Sequence, residues 1–428
     1  MHILLPSDVF PPKCGGAGWS AHALALALQQ RGHVVEALVP TRGRRGLQEE
    51  QVLGIRTKRR GYTAPNLPFV QNYYRHERLW PVLADDLIAM AAGTAQPTVI
   101  HAQHVQVAPA AVLAGQQVQV PVVITVRDHW PWDYFATGLH GGRIPLPQQN
   151  WRTLLTDLPA RLGGGRGVMA WAAIPYILAH MQRRRAALCR AEAVVAVSEY
   201  MAARLRQFVD PARVHVIPNM VDLAAIDQVI ATPPYQSFDQ QLAGRLDHSY
   251  ALFVGKLEQN KGADLLPAIW AALQAKMGGP APQLVIAGDG ALRGSLEREL
   301  GALGARVVFL EWAEHDLVLQ LMAHAQVLLY PSGWGEPLTR VLLEAAACGV
   351  PAMAMPTGGT SDIVQHGVSG LLTPTATGLG QAAAEVITNS PLQQKLAQGA
   401  RRVAEQRFAV AAVVGQFERL YQGMTERR

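Results

Sequence analysis

Pro331-Ser332-Gly333-Trp334-Gly335-Glu336-Pro337-Leu338-Thr339-Arg340-Val341-Leu342-Leu343-Glu344 sets two carboxylates around the start of one predicted helix, directly after the apolar run Val327-Leu328-Leu329-Tyr330. That run reads as a buried strand that delivers Glu336 to the loop at its end. Pro337 suits the first helical position, which puts Glu336 at the helix mouth and Glu344 about two turns in. At ~100° and ~1.5 Å per residue, the two carboxylates lie two turns plus ~80° apart, a span of ~12 Å. Val341, Leu342, Ala345, Ala346 and Cys348 give the helix its apolar face, and Glu344 falls among them. A carboxylate there either faces solvent or needs partners, because burying it unpaired is costly.

The same layout recurs along the chain. His2-Ile3-Leu4-Leu5 runs into Pro6 and the loop Gly15-Gly16-Ala17-Gly18, and Val122-Val123-Ile124-Thr125-Val126 into Arg127-Asp128-His129. Val194 to Val197 ends at Ser198, and Val214 to Ile217 ends at Pro218-Asn219. Leu252-Phe253-Val254 ends at Gly255-Lys256, Leu284 to Ala287 at Gly288-Asp289-Gly290, and Val307 to Leu310 at Glu311-Trp312. Polar and glycine residues gather at strand ends, where an open parallel sheet binds its ligands. Strand and helix patterns alternate through both halves, which predicts βαβ units and an α/β fold class.

A chain of 428 residues exceeds what one core usually holds. Two domains are expected, 1–230 and 249–410, joined by a linker over 231–248 that carries Thr232-Pro233-Pro234, Ser237 and Gly244. A closing helix is expected over 411–428. From Pro131 to Gly167, several Pro and Gly with little periodicity predict a long irregular loop.

Charged residues at 16% exclude a disordered or supercharged chain. The net charge of +6 and pI near 9.3 fit an acidic substrate or an anionic surface. No run of aromatics interleaved with Lys and Arg suggests a nucleic-acid platform. The amino end lacks a basic region followed by a long apolar stretch, so a cytoplasmic protein is expected. Cys14, Cys189 and Cys348 lack Cys-x-x-Cys spacing, which argues against a disulfide framework and a zinc site. The apolar run from Val168 to Leu178 contains Pro175 and is far short of the ~20 residues that span a bilayer. Asp-x-Asp is absent, so metal independence is expected.

In order and spacing, the motifs together resemble glycosyltransferase family 4, over nearly the whole chain. The resemblance is carried by Gly15-Gly16, Val197-Ser198-Glu199, Ile217-Pro218-Asn219-Met220-Val221-Asp222, Gly255-Lys256-Leu257 and Lys261-Gly262. It continues through Ala287-Gly288-Asp289-Gly290, the Glu336 and Glu344 pair, Gly358-Gly359, Gly367 and Gly370. It implies the GT-B architecture, two Rossmann-like domains with parallel sheets facing a central cleft. It also implies a retaining transfer of a hexose-type sugar from a nucleoside diphosphate sugar to a hydroxyl of a glycan, lipid-linked or small-molecule acceptor. The donor is a substrate, and no cofactor is implied.

Carried onto this sequence, the resemblance makes Glu336 an acceptor of hydrogen bonds from donor-sugar hydroxyls and Glu344 an acceptor from the ribose diol. Lys256 and Lys261 would neutralise charge on the leaving diphosphate, an effect exerted mainly in the transition state; alternatively they are a solvated pair. Backbone amides of Leu338, Thr339 and Arg340 would open the helix as a phosphate site. Gly288, Asp289 and Gly290 would line the donor side. Glu311 either contacts the nucleobase or ribose or lies on the surface. Gly15 and Gly16 either face the diphosphate and acceptor or form an ordinary tight turn.

Some positions depart from the family pattern. Arg127 stands where a histidine is commoner; it stays protonated, so it cannot serve as a base but could bind an anion. Asp128 could align an acceptor hydroxyl, with His129 in support. Lys256 replaces a more usual arginine, Met220 and Thr339 replace glycines, and Asp362 a glutamate. His101 and His104 lack a carboxylate companion in the sequence and are read as structural or acceptor-side. A catalytically silent nucleotide-sugar binding subunit, and a sugar-phosphate epimerase or phosphorylase, remain as alternatives; the two glutamates and two lysines favour the transferase. The cluster Arg56, Lys58, Arg59, Arg60 and the run Arg183 to Arg185, with Trp171, Ile174, Tyr176 and Ile177, either form a peripheral contact with the inner membrane face or a solvated face and a core helix.

Overall fold

Runs of Val, Ile and Leu form fully buried strands in both halves, because helices cover both sheet faces. The computed structural model of the chain describes residues 1–93, 96–146, 148–232, 246 and 249–426. These divide into two compact units, Met1–Met220 with Val413–Arg428, and Val221–Ala412.

The first unit holds β1 His2–Pro6, β2 Val34–Arg42, β3 Leu47–Val52, β4 Ile55–Tyr62, β5 Thr98–Ala102 and β6 Val122–Val126. A short hairpin follows, β7 Leu139–His140 and β8 Ile144–Pro145, then β9 Ala193–Ala196 and β10 Val214–Val216. The main sheet runs β10-β9-β6-β5-β1-β2-β4-β3 and is parallel except between β3 and β4. From Val413 onward, the helix Val410–Thr425 belongs to this unit. Its buried Tyr421 hydroxyl meets His101 Nδ1 at 2.5 Å, and Glu418 accepts from Arg31 Nε at 2.8 Å.

The second unit holds β11 Tyr250–Val254, β12 Gln283–Ala287, β13 Val307–Leu310, β14 Val327–Tyr330, β15 Ala352–Ala354 and β16 Gly370–Leu372. Their order, β13-β12-β11-β14-β15-β16 and all parallel, is the doubly wound arrangement, with its reversal between β11 and β14. Phe253, Trp270, Leu284 and Ile286 centre the core.

Two expectations shift. Most of the expected linker, 233–245 with Asp247 and His248, lies outside the described residues. The units divide earlier, after Met220, because Val221 donates its N–H to Phe408 O at 2.8 Å and the next helix, Leu223–Ala231, is tied down by Asp227 to Arg401 at 2.6 Å. The segment after Pro131 is also not one irregular loop. Asn150 and Thr153 form a capping box that opens the helix Trp151–Leu162, and Gly164–Met169 makes a further short helix. Pro159 and the glycines Gly163 to Gly165 mask that periodicity in the sequence.

The helices Leu266–Met277 and Ala376–Thr388 approach closely at Gly380, where a Cβ would stand 2.1 Å from Ile269 O. Gly380→Ala is therefore expected to destabilise the second unit by about 1–3 kcal/mol through overpacking, read as a lower midpoint in thermal or urea unfolding.

Candidate functional site

The loops after β11 and β14 flank the strand-order reversal of the second unit, and they bring Lys261 and Glu336 together. Glu336 is buried, 7% exposed. Three donors converge on its Oε1: Lys261 Nζ at 2.7 Å, Tyr330 OH at 2.5 Å and Ser332 Oγ at 3.3 Å. Burial and the neighbouring carboxylate hold Tyr330 well above the ordinary tyrosine range, so its hydroxyl stays a donor. The Lys261 ammonium also lies 5.0 Å from the Trp334 ring centroid. Gly262, at φ +70°, allows this approach, because a Cβ there would lie 2.0 Å from Pro331 O.

The helix assignment made from sequence needs correction. The helix is Arg340–Ala347 with Thr339 as its N-cap, so Pro337 does not open it, and the Leu338 and Thr339 amides belong to the preceding loop. The cause is long-range. Gly359 N donates to Glu336 O at 2.7 Å and Gly358 packs on the Glu336 backbone, which holds Glu336 outside the helix. Arg340 is the first helical residue, and Glu344 sits one turn beyond it.

Glu344 is buried and does have partners. Its Oε1 accepts from His315 Nε2 at 3.0 Å and from Arg340 Nη2 at 3.2 Å. His315 opens the helix that follows β13. The hydrogen bond to Glu344 raises the imidazole pKa above its usual 6.5, against a partial loss of hydration.

Other residues named from sequence are not gathered there. The Lys256 side chain is 63% exposed and lies 3.9 Å from Glu258, so it does not share the Glu336 cluster. Glu311 is exposed beside Arg293 at 3.5 Å. Gly288 and Gly290 serve loop packing: added Cβ atoms would stand 2.0 Å from Gly255 O and 2.6 Å from Leu257 O. Asp289 O accepts from Leu257 N at 3.0 Å, and its side chain accepts from Gly290 N at 2.8 Å.

In the first unit the strand order reverses between β1 and β5, and the loops after β1, β5 and β6 supply Asp8, His104 and Asp128. His104 Nε2 bonds Asp128 Oδ2, and Nδ1 lies 3.3 Å from Asp8 Oδ1. The expectation that His104 lacks a carboxylate companion is overturned, since the two companions come from other loops. Burial opposes its charge, yet Asp128 and Asp8 together hold the His104 pKa above the usual value. His101 is structural, bonded to Tyr421 and to Thr125 Oγ1 at 2.7 Å.

Arg127 turns inward and donates to Gln103 O at 2.7 Å, Gln103 Oε1 at 2.9 Å and Asn219 Oδ1 at 3.2 Å. Burial pushes its pKa down to about 10. It is a brace between strand ends, not an open anion site. His129 is buried and accepts from Trp132 Nε1 at 2.8 Å. Gly15 is an extended N-cap and Gly16 the first residue of the helix Gly16–Gln30, with open space where a Gly15 Cβ would be.

Most members of the basic clusters are paired within the fold. Arg59 bonds Glu50 and Pro11 O, Arg60 bonds Asp86, Arg56 bonds Glu49, and Lys58 lies 3.8 Å from Glu36. Arg184 is buried over the Trp130 ring, Arg185 donates to Pro131 O at 2.6 Å, and Ile174 and Ile177 are core. Arg56 and Arg183 remain more than half exposed while paired with Glu49 and Glu77. Among the described residues no helix is long and apolar enough to cross a membrane, and no cluster of three or more His, Cys, Asp or Glu could hold a metal ion.

Comparison with known proteins bears on the family and the fold. The model for glycosyltransferase family 4 matches residues 14–225, and that for glycosyl transferases group 1 matches residues 235–403. The chain belongs to glycosyltransferase family 4. A D-inositol 3-phosphate glycosyltransferase of Jonesia denitrificans is 33% identical over 214 residues, 46% of this chain and 48% of that protein. A 2-deoxystreptamine N-acetyl-D-glucosaminyltransferase of Niallia circulans is 25% identical over 54% of this chain and 59% of that one. The chain thus spans about half the length of the curated relatives it matches. Anabaena HepE in complex with UDP superposes over 99% of this chain and 100% of that one, at a TM-score of 0.66 and 21% identity. Sucrose-phosphate synthase of Thermosynechococcus elongatus does so over 100% of both chains, at 0.64 and 21%. These likenesses show the fold, which is that of GT-B proteins.

The His315–Glu344 pair gives a direct check. Its contribution to stability is present in full below about pH 6.5, the unfolded value, and fades as pH rises through the raised folded value. In NMR titrations the His315 ring should titrate above 6.5, and Glu344→Gln should return it toward 6.5.

Proposed function

We propose that the chain is a retaining glycosyltransferase that moves a hexose-type sugar from a nucleoside diphosphate sugar to a hydroxyl of a glycan, lipid-linked or small-molecule acceptor. The observation that carries this reading is the buried Glu336 carboxylate, fixed by Lys261, Tyr330 and Ser332 beyond the strand-order reversal of a parallel sheet. A buried carboxylate oriented by three donors is built to receive sugar hydroxyls in one pose. Complexes of the HepE protein with UDP and with UDP-glucose support a sugar nucleotide as donor.

In this reading the bond between the anomeric carbon and the diphosphate oxygen breaks while the acceptor oxygen bonds to the same face of that carbon. The acceptor proton passes to the departing phosphate oxygen, so no enzyme nucleophile is required. Lys261 stabilises the growing phosphate charge, with the Arg340 amide and the exposed Lys256 ammonium in support. Glu344, held by His315 and Arg340, accepts from the ribose diol. In the first unit, Asp128 aligns the acceptor hydroxyl, and His104 Nε2 holds Asp128 in place. The diphosphate charge is met by these cations without a metal, in a cytoplasmic setting.

Arg127 supports one second reading. With its guanidinium committed to Gln103 and Asn219, the usual histidine has no direct substitute, which suits a silent nucleotide-sugar binding subunit. Donor binding with neither transfer nor hydrolysis would decide for it.

Glu336→Gln and Lys261→Met are each expected to lower kcat about 100-fold or more, with a smaller effect from Tyr330→Phe, in steady-state assays of nucleotide release. Activity should persist in excess chelator, and NMR of the product should show the donor's anomeric configuration; loss restored by manganese, or an inverted anomer, would reject those parts of the reading.

A further inference from the structure

The lobe between β7 and the helix Ile174–Arg190 exposes large apolar side chains, with the Arg152 guanidinium 5.2 Å from the Trp151 ring centroid. Met169 is 79% exposed, Ile144 65% and Trp151 56%, joined by Leu162 and Trp171. They belong to one packed piece of chain. Trp171 Nε1 donates to Leu155 O at 3.1 Å, His140 meets Thr156 Oγ1 at 3.0 Å, and Gly167 lies close against Pro159. Scattered single apolar residues are ordinary on a surface, whereas five within one packed lobe are a concentration that calls for a partner.

Charge identifies what the face fits. From Tyr134 to Ala191 the sequence has eight arginines and one acid, Asp157. Asp157 is fully buried and bonded by Arg161 at 2.9 Å, so the lobe shows solvent no carboxylate between Tyr134 and Ala191. Arg143, Arg152 and Arg166 are exposed and pair with no carboxylate among the described residues. Tryptophan and methionine tips among arginines that have no carboxylate partner match a layer that is anionic at its surface and apolar just beneath. The apolar tips are spread over a hairpin turn, a helix start and a helix corner, so a deformable layer can meet them together.

We propose that this face docks peripherally on an anionic phospholipid bilayer, through Ile144, Trp151, Leu162, Met169 and Trp171, with Arg143, Arg152 and Arg166 on the headgroups. The surface does not draw on the Arg183 to Arg185 run, in which Arg184 is buried, Arg185 bonds Pro131 O and Arg183 pairs with Glu77. Docking there would hold the first unit beside a lipid-borne acceptor, yet it does not depend on the donor chemistry. Vesicle binding is measured without any sugar nucleotide, so its failure is separable from failure of the transferase reading.

The test is sedimentation of the full chain with vesicles of equimolar phosphatidylcholine and phosphatidylglycerol, against vesicles of phosphatidylcholine alone. Binding to the anionic vesicles, weakened by salt, is expected. The triple variant Arg143→Gln, Arg152→Gln, Arg166→Gln should lower the partition coefficient about 100-fold, and Met169→Glu should also reduce it, both with unchanged circular-dichroism melts. No sedimentation, equal sedimentation with both vesicle types, or unaltered binding by the triple variant would overturn the proposal. So would self-association abolished by Met169→Glu in a chain that ignores vesicles, since that would make the face a protein contact.

Discussion

The Glu336 carboxylate is the constraint around which the second unit is arranged. An ionised group at that depth is tolerable only when donors replace its lost water, and the three that do so arrive from the strand β14, the loop after it and the loop after β11. Those loops must then touch. Gly262 against Pro331, and Gly358 against the Glu336 backbone, are the places where backbone approaches backbone too closely for a side chain. The electrostatic need and the glycine positions are therefore one requirement expressed twice.

The first unit meets a similar demand by other means. At its own order reversal a buried imidazole is held between Asp8 and Asp128, and an arginine is drawn inward as a brace. Each half thus concentrates compensated charge beyond the carboxyl ends of its strands. That is where loops can be varied without disturbing the sheet, and where helix amides and unpaired carbonyls are already available.

Strand positions were legible because consecutive apolar residues ending in Gly, Pro or a polar residue report local burial, as β6, β13 and β14 do. The position of Glu336 beyond β14 was also legible, since it lies in the loop at that strand's end, and Glu344 was read rightly as a helix residue on the apolar face. What escaped was set by distant contacts. The helix begins at Arg340 and not at Pro337 because Gly358 and Gly359 grip Glu336. The carboxylate partners of His104 are hidden in the sequence because Asp8 and Asp128 lie in other loops, and the bracing of Arg127 is hidden because Gln103 and Asn219 are remote in sequence. His315 carried a visible signal, a polar residue opening the helix after β13, that only its proximity to Glu344 makes informative.

The return of the closing helix has a consequence for synthesis. The first unit is assembled from two separated stretches of polypeptide, with the whole of the second unit between them in chain order. His101, buried in β5, finds its Tyr421 partner only after 320 further residues have been made. During elongation the early sheet must therefore wait with one flank uncovered while the later half emerges and folds, and the final turns of helix act as the latch that completes the older half last.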